Sequence, residues 1–362
     1  MAKKLLISAL EPSANLHLGE ILKELKDYEI CGIFDEKFGS PYAKSSEFSA
    51  MGFFEILPLI LKAKRALKAL VKMARECDAV LLIDSPAFNI PLAKALKQAG
   101  ISAKITYFIL PQVWAWKPGR AKIVEENCDN LAAIWDFEHK FYPKCHYVGS
   151  PLLDEINFDE INRAQILARN LEQNKQNLPE KIAFLPGSRI GEIKRLMPIF
   201  RDLATKFEDK KLVLPIPANL MARKDEIYGD LRAFEISDDA VLAMSGAKFA
   251  FICSGTATMQ AALIGTPFVL CYKAKPIDIF IARKFVKLKY AGLANIILDF
   301  LGEKPLNLEL IQEQVTCENL LKAYENESKN VAKFDSVSNR LREYLAHGAA
   351  KNVANLIKFN QL

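Results

Sequence analysis

The chain has 362 residues, 51% of them hydrophobic and 25% charged, with a net charge of +6. That length accommodates two domains, and the balance is ordinary for a soluble globular protein. A charge so small and dispersed argues against nucleic acid and leaves an anionic ligand or an anionic membrane surface as the fitting partner. The seven cysteines are scattered with no CxxC pair, so neither a zinc site nor a disulfide framework is expected, and a reducing cytoplasm is the simplest setting.

The N-terminal MAKKLLISALEPS carries two lysines, but its apolar stretch soon meets Glu11 and Pro12. It is a poor signal peptide and reads as a first core strand, Lys4–Leu10. A helix is expected over Leu16–Lys26. Then come a strand at Ala79–Ile83, a helix at Ile90–Gln98, a strand at Lys104–Ile109, and short strands at Leu131–Ile134 and His146–Val148. The polar, Asn/Gln-rich stretch Phe158–Pro179 reads as an interdomain junction with a surface helix. A second alternating set follows: strands at Ile182–Leu185, Leu212–Ile216, Phe249–Cys253 and Phe268–Tyr272, with an amphipathic helix over Glu192–Phe207. Val331–Lys358 is helical and amphipathic, with no strand partner. This alternation predicts an α/β protein of two similar halves, each with a parallel doubly wound sheet. No apolar run approaches the roughly 18 residues of a membrane span.

In open α/β sheets ligands bind beyond the carboxyl ends of the strands, and the unusual residues fall there. LPGSRIGE, residues 185–192, joins a strand to a helix N-terminus, where backbone N–H groups and the helix dipole favour an anion. Arg189 adds a planar cation that suits two phosphate oxygens. Ser254-Gly255-Thr256-Ala257-Thr258-Met259-Gln260 makes a second such strand–turn–helix, and two in one half favour a shared diphosphate. After the first strand comes Glu11, a base or hydroxyl ligand, or else a charge complementing the helix dipole. There is no GxGxxG, so dinucleotide binding is not supported. Asp84 ends a buried strand beside Pro86, a good place for a general base, though helix capping suits it equally. In PQVWAWKPGR, Trp114 and Trp116 suit a sugar or acyl pocket and Lys117 and Arg120 its anionic groups; the alternative is a loop anchored by its aromatics. His17, His139, His146 and His347 have no spacing for a metal or a triad and read as structural. No DxD motif is present, so no metal and no cofactor are expected. Phe53–Arg75 combines an apolar run with Lys62, Lys64, Arg65, Lys68, Lys72 and Arg75, which suits an anionic membrane surface or a domain helix with a solvated basic face. Ile281–Tyr290 has the same character.

Taken together, SALEPSANLHLGEIL, DSPAFNIPLA, PQVWAWKPGRAKIV, IWDFEHKFY, YVGSPLLD, LPGSRIGEIKRLMP, SGTATMQAALIGTPFVLCYKAKP, LANIIL and LELIQE resemble the lipid-A-disaccharide synthase family over about residues 8–315. The resemblance implies a GT-B fold: two Rossmann-like doubly wound domains facing a cleft that holds the active site. The expected divisions are 1–165 for the acceptor and lipid, 166–330 for the UDP-sugar, and 331–362 as C-terminal helices returning across the junction or swapped in a homodimer. The implied donor is UDP-2,3-diacylglucosamine and the acceptor 2,3-diacylglucosamine 1-phosphate (lipid X), on the cytoplasmic face of an anionic inner membrane. UDP binding falls to Gly187, Ser188, Arg189, Ser254, Gly255, Thr256, Gln260, Asn295 and Glu309. Acceptor and lipid binding fall to Asn89, Trp114, Trp116, Lys117 and Arg120.

The chain departs from the family at acidic positions. The usual second Asp of DxPDFN is Ala87, the GExSGD loop is Leu10-Glu11-Pro12-Ser13-Ala14-Asn15, and SGTAxxE ends in Gln260. The base therefore falls to Asp84, with Glu11 second. The expected reaction is an inverting glycosyl transfer with Arg189 stabilising charge on the diphosphate. A UDP-sugar 2-epimerase of the same fold, or a catalytically weakened binder of UDP-lipid-sugars, is the alternative.

Overall fold

A computed structural model describes residues 3–48, 56–173, 179–274 and 288–359. The chain divides into two compact units, Met1–Glu155 with Leu345–Leu362, and Ile156–Tyr344. Residues 156–165 thus belong with the second unit, and the chain rejoins the first at Leu345.

In unit 1 the order is β1 (Lys3–Ala9), α1 (Pro12–Glu24), β2 (Tyr28–Phe34), β3 (Ala43–Lys44), α2 (Ile56–Met73), β4 (Ala79–Ile83), α3 (Pro86–Gln98), β5 (Lys104–Phe108), α4 (Arg120–Asn127), β6 (Asn130–Ala133), β7 (His146–Tyr147) and α5 (Pro151–Glu155). Among the described residues the strands form a seven-stranded sheet in the order β3-β2-β1-β4-β5-β6-β7, every pairing parallel. Helices cover both faces of such a sheet, so its central strands are apolar throughout, as AVLLI of β4 is, with every residue buried. β2, YEICGIF, escapes the sequence reading because Glu29 and Gly32 interrupt it. Gly32 has φ 119° and lies so close to β1 that a Cβ would come within 2.1 Å of the Ile7 carbonyl oxygen. The glycine that hides the strand from a propensity reading is what lets the two backbones pack.

Unit 2 repeats the plan: α6 (Phe158–Gln173), β8 (Lys181–Leu185), α7 (Ile190–Ala204), β9 (Lys211–Pro215), α8 (Ala218–Met221), α9 (Lys224–Tyr228), β10 (Glu235–Ser237), α10 (Ala240–Met244), β11 (Phe249–Ile252), α11 (Thr256–Ile264), β12 (Phe268–Tyr272), α12 (Leu293–Phe300), β13 (Leu308–Ile311), α13 (Cys317–Glu327) and α14 (Val331–Leu345). Its six described strands run β10-β9-β8-β11-β12-β13, again all parallel. The edge strands β10 and β13 are short and half-exposed, which leaves little apolar signal in the sequence. Phe184 centres the core, stacked edge-on against Phe200 and Phe234.

The amphipathic C-terminal stretch is two helices, α14 and α15 (Ala349–Phe359), broken by left-handed backbone at Ala346 (φ 47°) and Gly348 (φ 92°). In unit 1 Asp154 accepts from the Gly348 and Ala350 N–H groups at 2.7 and 3.1 Å, capping α15. Val353 and Ile357 of α15 are buried there.

Candidate active site

Both sheets reverse direction beside their first strand, β1 against β4 in unit 1 and β8 against β11 in unit 2. In this topology the crevice past the carboxyl ends of those strands binds ligands. The turns at that point in unit 1 are Leu10–Glu11 and Asp84–Ser85; those at the corresponding point in unit 2 are Pro186–Arg189 and Cys253–Gly255.

In unit 2 the Cys253 N–H donates to the Leu185 carbonyl at 2.8 Å, holding the two turns side by side. Neither α7 nor α11 has a side chain capping its N-terminus, and Ser188, Arg189, Gly255 and Thr256 are exposed. First-turn N–H groups without a side-chain cap are free to meet an anion. Gly187 (φ 101°) lies over the buried Glu192, whose Oε2 would be 2.7 Å from an added Cβ, with Cys253 Sγ at 3.2 Å. Gly187→Ala is therefore expected to lower stability by roughly 1–3 kcal/mol, read as a reduced urea midpoint. Arg189 reaches Glu192 at 3.1 Å while its side chain stays 66% exposed.

Further along the same edge, the Glu309 carboxylate accepts from the Ala291 and Gly292 N–H groups at 2.7 and 3.1 Å, and from the Asn295 amide at 2.8 Å. Asn295 in turn accepts from the Leu306 N–H at 2.8 Å and donates to the Asn307 carbonyl at 3.0 Å. The Ser254 hydroxyl donates to the Ala291 carbonyl at 3.4 Å. Asn295 and Glu309 thus shape the loop entering α12 and tie it to the 253–255 turn. Gln260 lies on α11, half-buried.

In unit 1 the turn after β4 is strained. Asp84 and Ser85 both have left-handed φ, 49° and 44°, uncommon for residues other than glycine. Four bonds hold it. The Asp84 N–H donates to the Phe108 carbonyl at 2.9 Å, and the Tyr107 hydroxyl and Asn89 amide donate to the Asp84 carbonyl, both at 2.8 Å. The Asn89 amide also reaches the Ile83 carbonyl at 3.1 Å, and its oxygen accepts from the Ser8 hydroxyl at 2.6 Å. Asn89, fully buried, therefore serves as the brace of Asp84. Asn15 plays the same part after β1, donating to the Ala9 and Glu11 carbonyls at 3.1 and 2.9 Å and accepting from the Asp35 N–H at 2.7 Å. Burial, reinforced by the charge of Glu11, pushes the Asp84 carboxyl up to about 6. The Ser85 hydroxyl, beside it, is buried with no hydrogen-bond partner among the described residues.

His17 is one of the four histidines that read as structural in the sequence. It is buried, its Nδ1 pairs closely with Glu155, and its ring meets Phe108 edge-on at 6.2 Å. It also draws the Asp84 carboxyl downward, against burial and Glu11.

The two tryptophans part company. Trp114 is buried edge-on against Phe137 at 5.6 Å, its indole N–H 3.4 Å from Glu138. Glu138 also accepts from the Ile134 and Trp135 N–H groups, and burial pushes its carboxyl up to about 8. Trp116 is 45% exposed, with the Lys117 ammonium over its ring at 4.6 Å. Arg120 opens α4 and its charge is felt at Tyr107, the residue that holds Asp84. On α2, Ala66 and Leu70 face the unit's own core while Lys64, Arg65, Lys68 and Lys72 are exposed. Residues 53–55 and 281–287 of the two basic-apolar stretches lie outside the described residues, as do the side chains of 56–60. Among the described residues no helix is long and apolar enough to cross a membrane.

Two parallel sheets of this order, with helix N-termini gathered at the switch points, define a two-domain protein of the GT-B class. Solved structures agree on the fold. The glycotransferase of kitacinnamycin has a TM-score of 0.59 at 14% identity, covering 99% of both chains. The UDP-GlcNAc 2-epimerase from Methanocaldococcus jannaschii in complex with UDP-GlcNAc and UDP has 0.56 at 11%, also covering 99% of both. Sequence narrows the class further. The lipid-A-disaccharide synthase of Campylobacter jejuni (strain RM1221) is 51% identical over 372 residues, covering 98% of this chain and 99% of the relative. That of Helicobacter pylori (strain Shi470) is 45% identical over 370 residues, covering 98% of each. A family model described as lipid-A-disaccharide synthetase matches residues 5–359, and the chain belongs to that family.

Proposed function

We propose that the protein is the glycosyltransferase that condenses UDP-2,3-diacylglucosamine with 2,3-diacylglucosamine 1-phosphate, releasing UDP and the β-1,6-linked disaccharide phosphate of lipid A biosynthesis. The observation that carries the chemistry is the pair of uncapped helix N-termini on adjacent strands of unit 2, with Arg189 beside them. They suit the donor's diphosphate, and Glu309 and Asn295 act by shaping the loop next to it. In unit 1 Asp84 takes the proton of the acceptor 6-hydroxyl as that oxygen bonds to the anomeric carbon and the bond to UDP breaks. Charge gathers on the leaving diphosphate, where Arg189 and the helix ends stabilise it. Trp116, Lys117 and Arg120 are assigned to the acceptor, with Trp114 anchoring their loop.

Both substrates are acylated, and the exposed basic row of α2 suits the anionic cytoplasmic face of an inner membrane, where they would be met. Ala66 and Leu70 of α2 support unit 1 itself, and the pull of its basic row on such a surface is electrostatic.

The test supplies donor alone, then donor with acceptor, and follows UDP and sugar. UDP release only with both substrates is expected. Conversion of the donor sugar without acceptor would favour the epimerase instead, and no turnover with both would leave a binder.

A further inference from the structure

Unit 1 also holds a pair of thiols that this reaction does not use. Cys31 of β2 and Cys77, just before β4, flank the central strand β1 with their sulfurs 3.5 Å apart. Both line a cavity of about 490 Å³, with Lys4, Tyr42, Lys72 and Glu76 around it. Elsewhere among the described residues no two cysteine sulfurs are in hydrogen-bond contact. Cys145 lies 3.4 Å from the His139 Nδ1, while Cys253 and Cys271 are buried in unit 2.

The two sulfurs are chemically unequal. The contact between the two sulfurs, in which either can donate, draws the Cys31 thiol down, with Lys4 adding a smaller attraction, and the same contact and burial push Cys77 up; the Cys77 thiol is also placed to donate to the Met73 carbonyl at 3.4 Å. A thiolate stabilised by its neighbour, facing a cavity, is the nucleophile of thiol–disulfide exchange.

We propose that Cys31 and Cys77 form a reactive dithiol that takes up small-molecule disulfides through the cavity and closes to an intramolecular disulfide. The Cys31 thiolate attacks one sulfur of the small disulfide, whose S–S bond breaks. One small thiolate leaves and takes the proton Cys31 gave up. The Cys77 thiol then loses its proton and attacks the Cys31 sulfur, expelling the second small thiolate, which takes that proton. Two protein thiols are oxidised and one disulfide is reduced to two thiols. Closure requires the sulfurs to approach from 3.5 Å to about 2.05 Å. Cys77 lies outside β4, after the helical turn Ala74–Glu76, so that turn can take up the movement. The bond would span the segment that contains α2.

The experiment treats the reduced full-length protein with glutathione disulfide, alkylates the remaining thiols, and maps the peptides by mass spectrometry. The wild type should lose two hydrogens and yield a Cys31–Cys77 cross-linked peptide, with the other cysteines alkylated. Cys77→Ser should stop with one glutathionyl group on Cys31. Cys31→Ser should leave Cys77 reduced, and Cys31→Ala serves if the serine variant folds poorly. Both thiols remaining alkylatable in the wild type, a stable glutathione adduct there without closure, or faster reaction at any other cysteine would overturn the proposal.

Discussion

Arg189→Ala should lower kcat for UDP release about a hundredfold or more, the scale of losing a charged donor aimed at a transition-state oxyanion. The fold should register the change only modestly. The Arg189 side chain is 66% exposed, but its partner Glu192 is 9% exposed, so the variant leaves a buried carboxylate short of one partner, at a cost of roughly 1–3 kcal/mol. The thermal midpoint should therefore fall while circular dichroism below it matches the wild type. Arg189→Lys keeps the charge but loses the planar fork, so it should recover only part of the rate. A merely structural arginine predicts a lowered midpoint with near-normal turnover by the folded protein, and that result would remove Arg189 from the diphosphate.

Much of this site could be read from the chain because its physics is local. LPGSR and SGTAT announce themselves as small-residue turns between an apolar strand and a helix, and their strands prove to be neighbours. β4 and β12 were legible to the residue, since strands buried on both faces are apolar throughout. What was hidden depends on partners distant in sequence. Nothing in DSPAFN says that Asp84 and Ser85 take left-handed backbone, because Tyr107 and Phe108 supply two of the bonds that hold it. Asn89 looked like a ligand to an acceptor sugar, yet its amide is committed to the turn. His17 reads as structural, and it is buried against Glu155, a partner too distant in sequence to be foreseen. Trp114 and Trp116 look alike in sequence, and only the Phe137–Glu138 segment decides which is buried. The chain's return to unit 1 at Leu345 was likewise invisible as a boundary, because the amphipathic pattern runs on through the break at Ala346–Gly348.

Asp84→Asn should abolish most of the turnover while leaving the protein no less stable at neutral pH. The activity argument follows from the base: an amide cannot take the proton of the 6-hydroxyl. In the wild type the same group sets an acid limb, because only the carboxylate is competent. With its carboxyl at about 6, the rate should fall as pH drops through that value, by roughly tenfold per pH unit below it. Glu11→Gln removes the charge that helps raise Asp84, so the limb should move to lower pH with Asp84 still working. The stability argument has the opposite sign. The folded value lies above the ordinary 3.8, so between these two pH values the unfolded chain holds fewer protons than the native one. Stability contributed by the protonated form is present in acid and is lost as pH rises through about 6. Asparagine removes that penalty and tolerates left-handed backbone, so the variant should match or exceed the wild-type melting temperature at pH values above 7. An Asp84→Asn enzyme with full activity would pass the role of base to Glu11, and Glu11→Gln would then be the inactive variant.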